Sequence, residues 1–363
     1  MRILIISDYR DTQAAKPEAA LVIGMKHRGA EVDVITYQGT AYEKAFHDAG
    51  IEVFHLHPAK KFDWGFIRKL RHMSREKAYD IFYLFNSQAI INGLMAAISL
   101  DVKVVLYRGY TGNIHWYDPT AYFKYLNPRV DKIICIAHSI EDYLQRQLFF
   151  RRDKAVTINK GHHPEWYEHI VPLSLEIFDV PQQAFVLACM GNARAFKGIK
   201  YLLQATNECA DLEDLHLLLI GRDMSKGNLG QLIENSDMYG RIHTTGWRDD
   251  VLSILGSCNA FILPSIGGEA ITKSLMEAMS MGLAPIATDI PGNKGLVIHR
   301  QNGLVVPSRN PTALADAIRI LYKQRDLVSR YGQAAKRHIA VHFHADRTVD
   351  ETLAVFEKLR SAR

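Results

Sequence analysis

The sequence predicts an α/β protein with two doubly wound parallel sheets, in Rossmann-like domains that face a cleft. Short apolar runs alternate with helical segments in each half of the chain, and a proline-flanked segment at 171–181 interrupts the alternation. Strands that alternate with helices form a parallel sheet covered on both faces. The length of 363 residues also suits two domains, each of roughly 150–200 residues.

The first half contains six apolar runs that read as strands: RILIIS, EVDVITY, IEVFHL, DIFYLF, KVVLY and KIICIA. The segment PEAALVIGMKHRG reads as a helix that starts at Pro17 and ends at Gly29. QAIINGLMAAISL follows DIFYLF and reads as another helix.

The second half repeats this pattern from AFVLACMG to NGLVVP, and Asn310-Pro311 opens a further helix. We therefore expect an N-terminal domain over 1–172, a hinge over 173–182 and a C-terminal domain over 183–344. A last helix within 345–363 is expected to pack back on the N-terminal domain.

Composition excludes several classes of protein. A hydrophobic fraction of 48% with 23% charged residues is ordinary for a globular chain, and a net charge of +5 is weak for a nucleic-acid-binding protein. The four cysteines are far apart, which gives no support to zinc or redox motifs and fits a reducing, intracellular compartment. Without a signal peptide or a membrane span, we expect a cytoplasmic protein that is either soluble or in peripheral contact with the inner face of the cell membrane.

Two acids lie around a predicted helix start in GGEAITKSLMEAMS. The amide end of a helix binds phosphate, so Glu269 on the loop could meet a sugar hydroxyl or a reacting carbon. Glu277, about one turn into the helix, could accept hydrogen bonds from a ribose. The alternatives are a solvated loop acid for Glu269 and a capping box for Ser274 and Glu277.

The turn MGNARAFKG follows the first strand of the second half and carries Arg194 and Lys197. Two cations at a strand end would stabilise the negative charge that develops on a diphosphate leaving group. The alternative is an exposed basic turn. No Asp-x-Asp triplet occurs, so we expect no metal, and the absence of G-x-G-x-x-G after a strand argues against a nicotinamide cofactor.

These motifs occur in the order and at about the spacing found in the retaining glycosyltransferases of the GT-B fold, and the second half of the chain resembles that class, in particular family 4. The resemblance covers roughly 184–345 and rests on Glu269 and Glu277, on Lys197-Gly198, and on the motifs LLIGR, AFILPS, MEAMSMGLAPIATDIPG and NGLVVPSRNPTALADAI.

The resemblance implies roles for individual residues. Glu269 would contact the donor sugar and Glu277 the ribose, while Arg194 and Lys197 would hold the diphosphate. The backbone of Thr272 and Lys273 would offer amides to phosphate, and Gly246 would border the base.

The chain also departs from the family pattern. The glycine-rich turn after Glu269 is Ala270-Ile271-Thr272, Asn192 stands where the phosphate arginine is common, and the first loop, DYRDTQAAKPE, has no glycine. In the family this first loop often carries a glycine pair. Candidates to replace it on the acceptor side are Arg10, Thr12 and Lys16. The family often has a histidine after the fourth core strand of its first domain. Here Arg108 lies near that place and His115 follows seven residues later. Of these, His115 is the catalytic candidate, alongside Glu269, and Arg108 a candidate on the acceptor side.

The segment 60–77 carries seven Lys/Arg against two acids, with aromatic residues between them, and 145–154 adds a second aromatic and basic stretch. Such a helix could lie on an anionic membrane that carries a lipid-linked acceptor. The alternative is that its apolar residues face the core. The aromatic residues of 107–125 could stack on an acceptor sugar or pack within their own loop.

The sequence thus predicts a metal-independent, retaining hexosyltransferase. Its co-substrate would be a UDP- or GDP-linked sugar, with no other cofactor, and its acceptor a glycan or lipid of the cell envelope, as in polysaccharide or lipopolysaccharide biosynthesis. A nucleotide-sugar epimerase and a non-catalytic nucleotide-sugar-binding protein remain alternatives.

Overall fold

The computed structural model describes residues 1–149, 151–269 and 272–362, and leaves out the side chains of 12–14. Its chain divides into two compact units, Met1–His162 with Phe343–Arg363, and His163–His342. The segment 173–182, expected as a hinge, lies in the second unit, where the amide of Leu173 donates to the carbonyl of Ser253 at 3.0 Å.

The first unit is built on a seven-stranded parallel sheet with the order β3-β2-β1-β4-β5-β6-β7. Its strands are β1 (Arg2–Ile6), β2 (Glu31–Ile35), β3 (Glu52–Phe54), β4 (Ile81–Leu84), β5 (Lys103–Arg108), β6 (Lys132–Cys135) and β7 (Ala155–Thr157). All four residues of β4 are buried, as expected for a strand covered on both faces.

Six helices cover this sheet: α1 (Thr12–His27), α2 (Glu43–Asp48), α3 (Trp64–Lys77), α4 (Ser87–Ala96), α5 (His138–Gln147) and α12 (Ala345–Ser361). The prediction that the first helix starts at Pro17 is wrong. The helix begins at Thr12 and contains Pro17, because its first turn is already closed by the bond from the amide of Ala15 to the carbonyl of Asp11. α12 packs against α1, where Arg28 forms an ion pair with Asp346 at 3.2 Å.

The second unit has a six-stranded parallel sheet with the order β10-β9-β8-β11-β12-β13. Its strands are β8 (Phe185–Met190), β9 (Leu215–Ile220), β10 (Ile242–Gly246), β11 (Ala260–Leu263), β12 (Ala284–Thr288) and β13 (Leu304–Val306). Its helices are α6 (Ile199–Asn207), α7 (Gly227–Glu234), α8 (Val251–Leu255), α9 (Lys273–Ser280), α10 (Pro311–Lys323) and α11 (Arg325–His342).

The order of each sheet reverses beside its first strand, between β1 and β4 and between β8 and β11. Loops that leave such a pair of strands turn to opposite faces and open a crevice at the carboxyl edge, where ligands of doubly wound sheets bind. In the second unit the loops after β8 and β11 leave the sheet at this edge, and they carry Arg194 and Lys197 on one side and Glu269 and Thr272 on the other.

Candidate active site

A mostly buried ion pair joins the two loops at the reversal point of the second sheet. Lys197 Nζ lies 2.5 Å from Glu269 Oε1, and the two side chains are only 15% and 12% exposed. Ser265, two residues after the end of β11, donates a hydrogen bond from its hydroxyl to the same Glu269 oxygen at 3.1 Å. The two alternatives of a solvated loop acid and an exposed basic turn are therefore wrong for Glu269 and Lys197.

Gly198 permits this close approach of the loops. It has a φ of +69°, and a Cβ at this position would lie 2.0 Å from the carbonyl oxygen of Pro264. Glycine adopts such a φ at little cost and has no side chain to collide with the neighbouring loop. The backbone next to Lys197 can therefore touch the loop that carries Glu269.

The start of α9 has no side-chain cap. Its N-cap residue is Thr272, whose buried hydroxyl has no hydrogen-bond partner among the described residues, and the same holds for the hydroxyl of Ser274. The capping-box interpretation is thus wrong, because Ser274 lies inside the helix. Amides at an uncapped helix start can donate to an anion.

Glu277 lies one turn into α9 and is nearly buried. Its Oε1 pairs with Lys273 Nζ at 2.6 Å, an i,i+4 contact along the helix. The side chain of Lys273 thus holds Glu277, while its amide belongs to the first turn of the helix. Ala270 and Ile271, where the chain departs from the family's glycine turn, lie outside the described residues.

Arg194 is not part of this ion-paired cluster. Its exposed side chain lines a cavity of about 910 Å³ between α6 and α7, with Lys200, Lys226 and Ile266. It makes no ion pair with the described residues, unlike Lys197 three positions later. Its predicted contact with a diphosphate therefore stays a prediction.

Gly246 ends β10 with a φ of +66°, and its carbonyl accepts a bond from the amide of Gly221 at 3.0 Å. This bond connects the loops that follow β9 and β10. Beside it, Arg222 lies 5.4 Å from the ring centroid of Trp247, which is 57% exposed. Sequence reasoning missed this pair, although an exposed tryptophan directly after a strand end is a signal for a binding surface.

Burial removes the nearest thiol from consideration as a nucleophile. Cys189 in β8 is buried, and desolvation raises the pKa of its thiol to about 12, against a smaller opposite effect of Lys197. A thiol with this pKa is protonated at neutral pH. The cluster thus combines cations, carboxylates and a helix start without a side-chain cap, and the thiol of Cys189 is not activated.

In the first unit, Arg10 follows β1 at the corresponding reversal point. Its guanidinium makes two bonds to the Asp8 carboxylate, at 2.8 and 2.6 Å, and lies 4.0 Å from the ring centroid of Tyr37. Tyr37 stacks on His57 at 4.2 Å, and burial lowers the pKa of that histidine. Lys16 is half-buried in α1, and the side chain of Thr12 lies outside the described residues.

Arg108 and His115 occupy different environments. Arg108 is 2% exposed, lies 3.6 Å from the ring centroid of Tyr110 and 4.7 Å from that of Tyr125, and donates to the carbonyl of Gly112. The buried Arg108 side chain therefore stabilises the loop 109–125 through contacts with three of its residues. His115 is partly exposed on that loop and stacks on Tyr117 at 5.1 Å.

Comparison with known proteins identifies the family. The profile of "Glycosyl transferases group 1" matches residues 184–324, and that of "Glycosyltransferase Family 4" matches residues 19–166. Glycosyltransferase profiles thus match a large part of each half of the chain, as the sequence resemblance indicated.

Individual relatives are distant. The chain is 25% identical over 229 residues to the lipopolysaccharide core biosynthesis glycosyltransferase LpsD of Rhizobium meliloti, and the match spans 63% of this chain and 64% of LpsD, just under two thirds of it. A glycosyltransferase crystal structure from Rickettsia africae has a TM-score of 0.81 at 17% identity, covering 99% of this chain and 98% of that one. Anabaena Alr3699/HepE in complex with UDP-glucose has a TM-score of 0.74 at 17% identity, covering 98% and 100%. These structures share the predicted GT-B fold.

Proposed function

We propose that this protein transfers a sugar from a nucleotide diphosphate sugar to a glycan or lipid-linked acceptor of the cell envelope, with retention of the anomeric configuration. One observation carries the proposal: a mostly buried Lys197–Glu269 pair lies at the reversal point of the second sheet, and Glu269 is on the loop that leads to the uncapped start of α9. A cation and free amides fit a diphosphate, and a carboxylate beside them fits a sugar hydroxyl.

Each side chain then has a defined role. Lys197 and the first amides of α9 bind the diphosphate, Glu269 binds the sugar, and Glu277 accepts hydrogen bonds from the ribose. The bond between the anomeric carbon and the phosphate oxygen breaks, and the acceptor hydroxyl oxygen bonds to that carbon from the same face. The departing phosphate takes the hydroxyl proton, so the reaction needs neither an enzyme nucleophile nor a metal.

The relatives support the class of substrates. Alr3699/HepE has been crystallised with UDP-glucose, which favours a UDP-linked donor here. LpsD bears the name of a lipopolysaccharide core glycosyltransferase, which favours an envelope acceptor. We infer that the acceptor is recognised by the first unit, at the Asp8–Arg10 pair after β1.

Nucleotide binding tests this proposal. We expect UDP or GDP, or their sugar conjugates, to raise the melting temperature of the wild-type protein, because a ligand of the folded state stabilises it. Glu277→Ala should weaken that binding about tenfold or more, since it removes an acceptor for the ribose hydroxyls. Calorimetric titration measures the affinity, and Glu213→Ala, an exposed acid of the same unit, is the control.

The product distinguishes the alternatives. A transferase releases nucleotide only as sugar reaches an acceptor, whereas an epimerase would convert the donor without an acceptor. A binding protein would hold the donor and never release nucleotide. Wild-type affinity in Glu277→Ala would refute the ribose contact.

We further propose that the first unit contacts an anionic membrane. Its surface has an aromatic belt of six residues, each 44–66% exposed: Phe62, Trp116, Tyr117, Tyr122, Phe123 and Phe149. Phe62 packs edge-on against Phe123, Tyr122 bonds to the carbonyl of Trp116, and Trp116 packs against Phe149. Connected aromatic surface of this kind is typical of interfaces between water and an apolar phase.

The amphipathic α3 contributes charge rather than an apolar face. Phe66, Ile67 and Leu70 are buried in the unit, as the core-facing alternative predicted. Trp64, Arg68 and Lys69 are exposed. Among the described helices, none combines the length and the apolar composition that crossing a bilayer requires.

Replacing Lys60, Lys61, Arg68 and Lys69 with glutamine should weaken binding to phosphatidylserine vesicles about tenfold or more, because each cation near an anionic surface contributes attraction. Vesicle co-sedimentation at fixed salt measures this. The control replaces Lys323, Arg330, Lys336 and Arg337 of α10 and α11 with glutamine, for the same change in charge. Equal binding by the two variants would refute the membrane contact.

A further inference from the structure

We infer that Ser265 is a positioning residue that orients the Glu269 carboxylate for the donor sugar, and that Thr288 and Asn293 fix Ser265 in turn. This inference rests on the proposed function, because it concerns how the same site recognises the sugar. Its basis is a buried series of hydrogen bonds behind Glu269.

The two donors to Glu269 meet the same oxygen. Ser265 Oγ and Lys197 Nζ both contact Oε1, at 3.1 and 2.5 Å. The other oxygen, Oε2, makes no hydrogen bond to the described part of the chain. One oxygen is thus held by the protein, and the other can accept a hydrogen bond from a sugar hydroxyl.

The loop itself does not fix this carboxylate. Glu269 follows Gly267 and Gly268, both with positive φ, at 158° and 74°. Glycine pairs restrict the backbone little, so the orientation of the next side chain depends on its own contacts. Of the two contacts, Lys197 has a long side chain that is also needed for the diphosphate, whereas Ser265 has a short and immobile one.

Ser265 is fixed by its neighbours in the sheet. It lies two residues after the end of β11 and is completely buried, and its carbonyl accepts a bond from the hydroxyl of Thr288, the last residue of β12. The carbonyl of Thr288 accepts a bond from the side-chain amide of Asn293 at 2.9 Å. The series thus connects the ends of two adjacent strands and finishes on the carboxylate.

The hydroxyl of Ser265 donates its hydrogen bond to the Glu269 carboxylate and takes no part in the backbone contact with Thr288. Its donor bond goes to Glu269, while only its carbonyl takes part in the contact with Thr288. Ser265→Ala therefore removes the bond to the carboxylate and leaves the contact between the strands. Thr288→Val removes that second contact, and Thr288→Ser keeps it.

The test compares two affinities for each protein: that for a nucleotide sugar and that for its nucleotide alone. The probes are UDP-glucose, UDP-N-acetylglucosamine and GDP-mannose, each against UDP or GDP, in calorimetric titrations. Ser265→Ala should lower the preference for the nucleotide sugar about fivefold or more, because it acts on the sugar contact. Affinity for the nucleotide alone should stay within about twofold of wild type.

Thr288→Val should shift the preference in the same direction, and Thr288→Ser should restore it. The matched control is Thr206→Val, since Thr206 is a buried threonine of α6 whose hydroxyl donates to the carbonyl of Leu203 and to no other described residue. In a Glu269→Gln background, Ser265→Ala should cause no further loss, because it acts through that carboxylate. A merely structural serine would give additive losses instead.

The outcomes separate the two claims. A wild-type protein that binds none of the probes would overturn the proposed function and this inference with it. Wild-type binding of a nucleotide sugar with an unchanged preference in Ser265→Ala would overturn the inference alone. Equal losses for the nucleotide and its sugar conjugate would also overturn it, because the serine would then support the fold of the site in general.

Discussion

Replacing Glu269 with glutamine should lower turnover by about two to three orders of magnitude, the range measured for the loss of one preorganised electrostatic contact. Affinity for the nucleotide diphosphate should stay equal or rise. The reason is the direct contact of Glu269 with Lys197 at 2.5 Å. The carboxylate competes with the diphosphate for this cation, and a neutral amide competes less.

Steady-state kinetics with calorimetry for the nucleotide measures the two effects separately. Glu234→Gln, at an exposed position in α7, is the matched control and should behave as wild type. A glutamine variant that loses nucleotide affinity and turnover together would contradict the assignment, because Glu269 would then support the diphosphate site rather than the sugar contact.

Sequence reasoning singled out both members of the ion pair, although not their contact, because parallel sheets concentrate function at one edge. Lys197 and Glu269 are 72 positions apart, but each follows a strand that borders the reversal point of the second sheet. The carboxyl ends of such strands meet whatever the length of chain between them. Recognising the strands by their apolar runs and the loops by their turn residues was therefore enough to place both loops at the same edge of the sheet.

Side-chain direction could not be predicted in the same way. Arg194 and Lys197 share one short turn, yet Lys197 reaches Glu269 and Arg194 lines the cavity between α6 and α7. The capping-box alternative failed for a similar reason, since the N-cap residue is Thr272 and Ser274 lies inside α9. Both depend on local dihedral angles, which residue types restrict only weakly.

Some elements escaped prediction because their sequence signal is weak. α2 and β7 contain six and three residues, too few to show a period. α7 begins at a glycine and contains a second one, which lowers its helical propensity. Ser265 entered the sequence analysis only as part of the AFILPS motif. The residue type serine does not show a function by itself, and only the structure shows that its hydrogen-bond partner is Glu269.

Replacing Gly198 with alanine should have the largest effect on stability. Alanine at a φ of +69° costs about 1–2 kcal/mol, and its Cβ would lie 2.0 Å from the Pro264 carbonyl oxygen, so the two loops must separate. We expect a loss of about 3 kcal/mol or more and a fall in melting temperature of roughly 6–12 °C. Because this separation also moves Lys197 away from Glu269, donor affinity should fall in the fraction that remains folded.

Scanning calorimetry and titration with the nucleotide sugar measure these two losses. Gly240→Ala is the control, since a Cβ there meets nothing within 4 Å and its φ is not positive. A Gly198→Ala protein with the melting temperature and donor affinity of wild type would refute the close approach of the two loops.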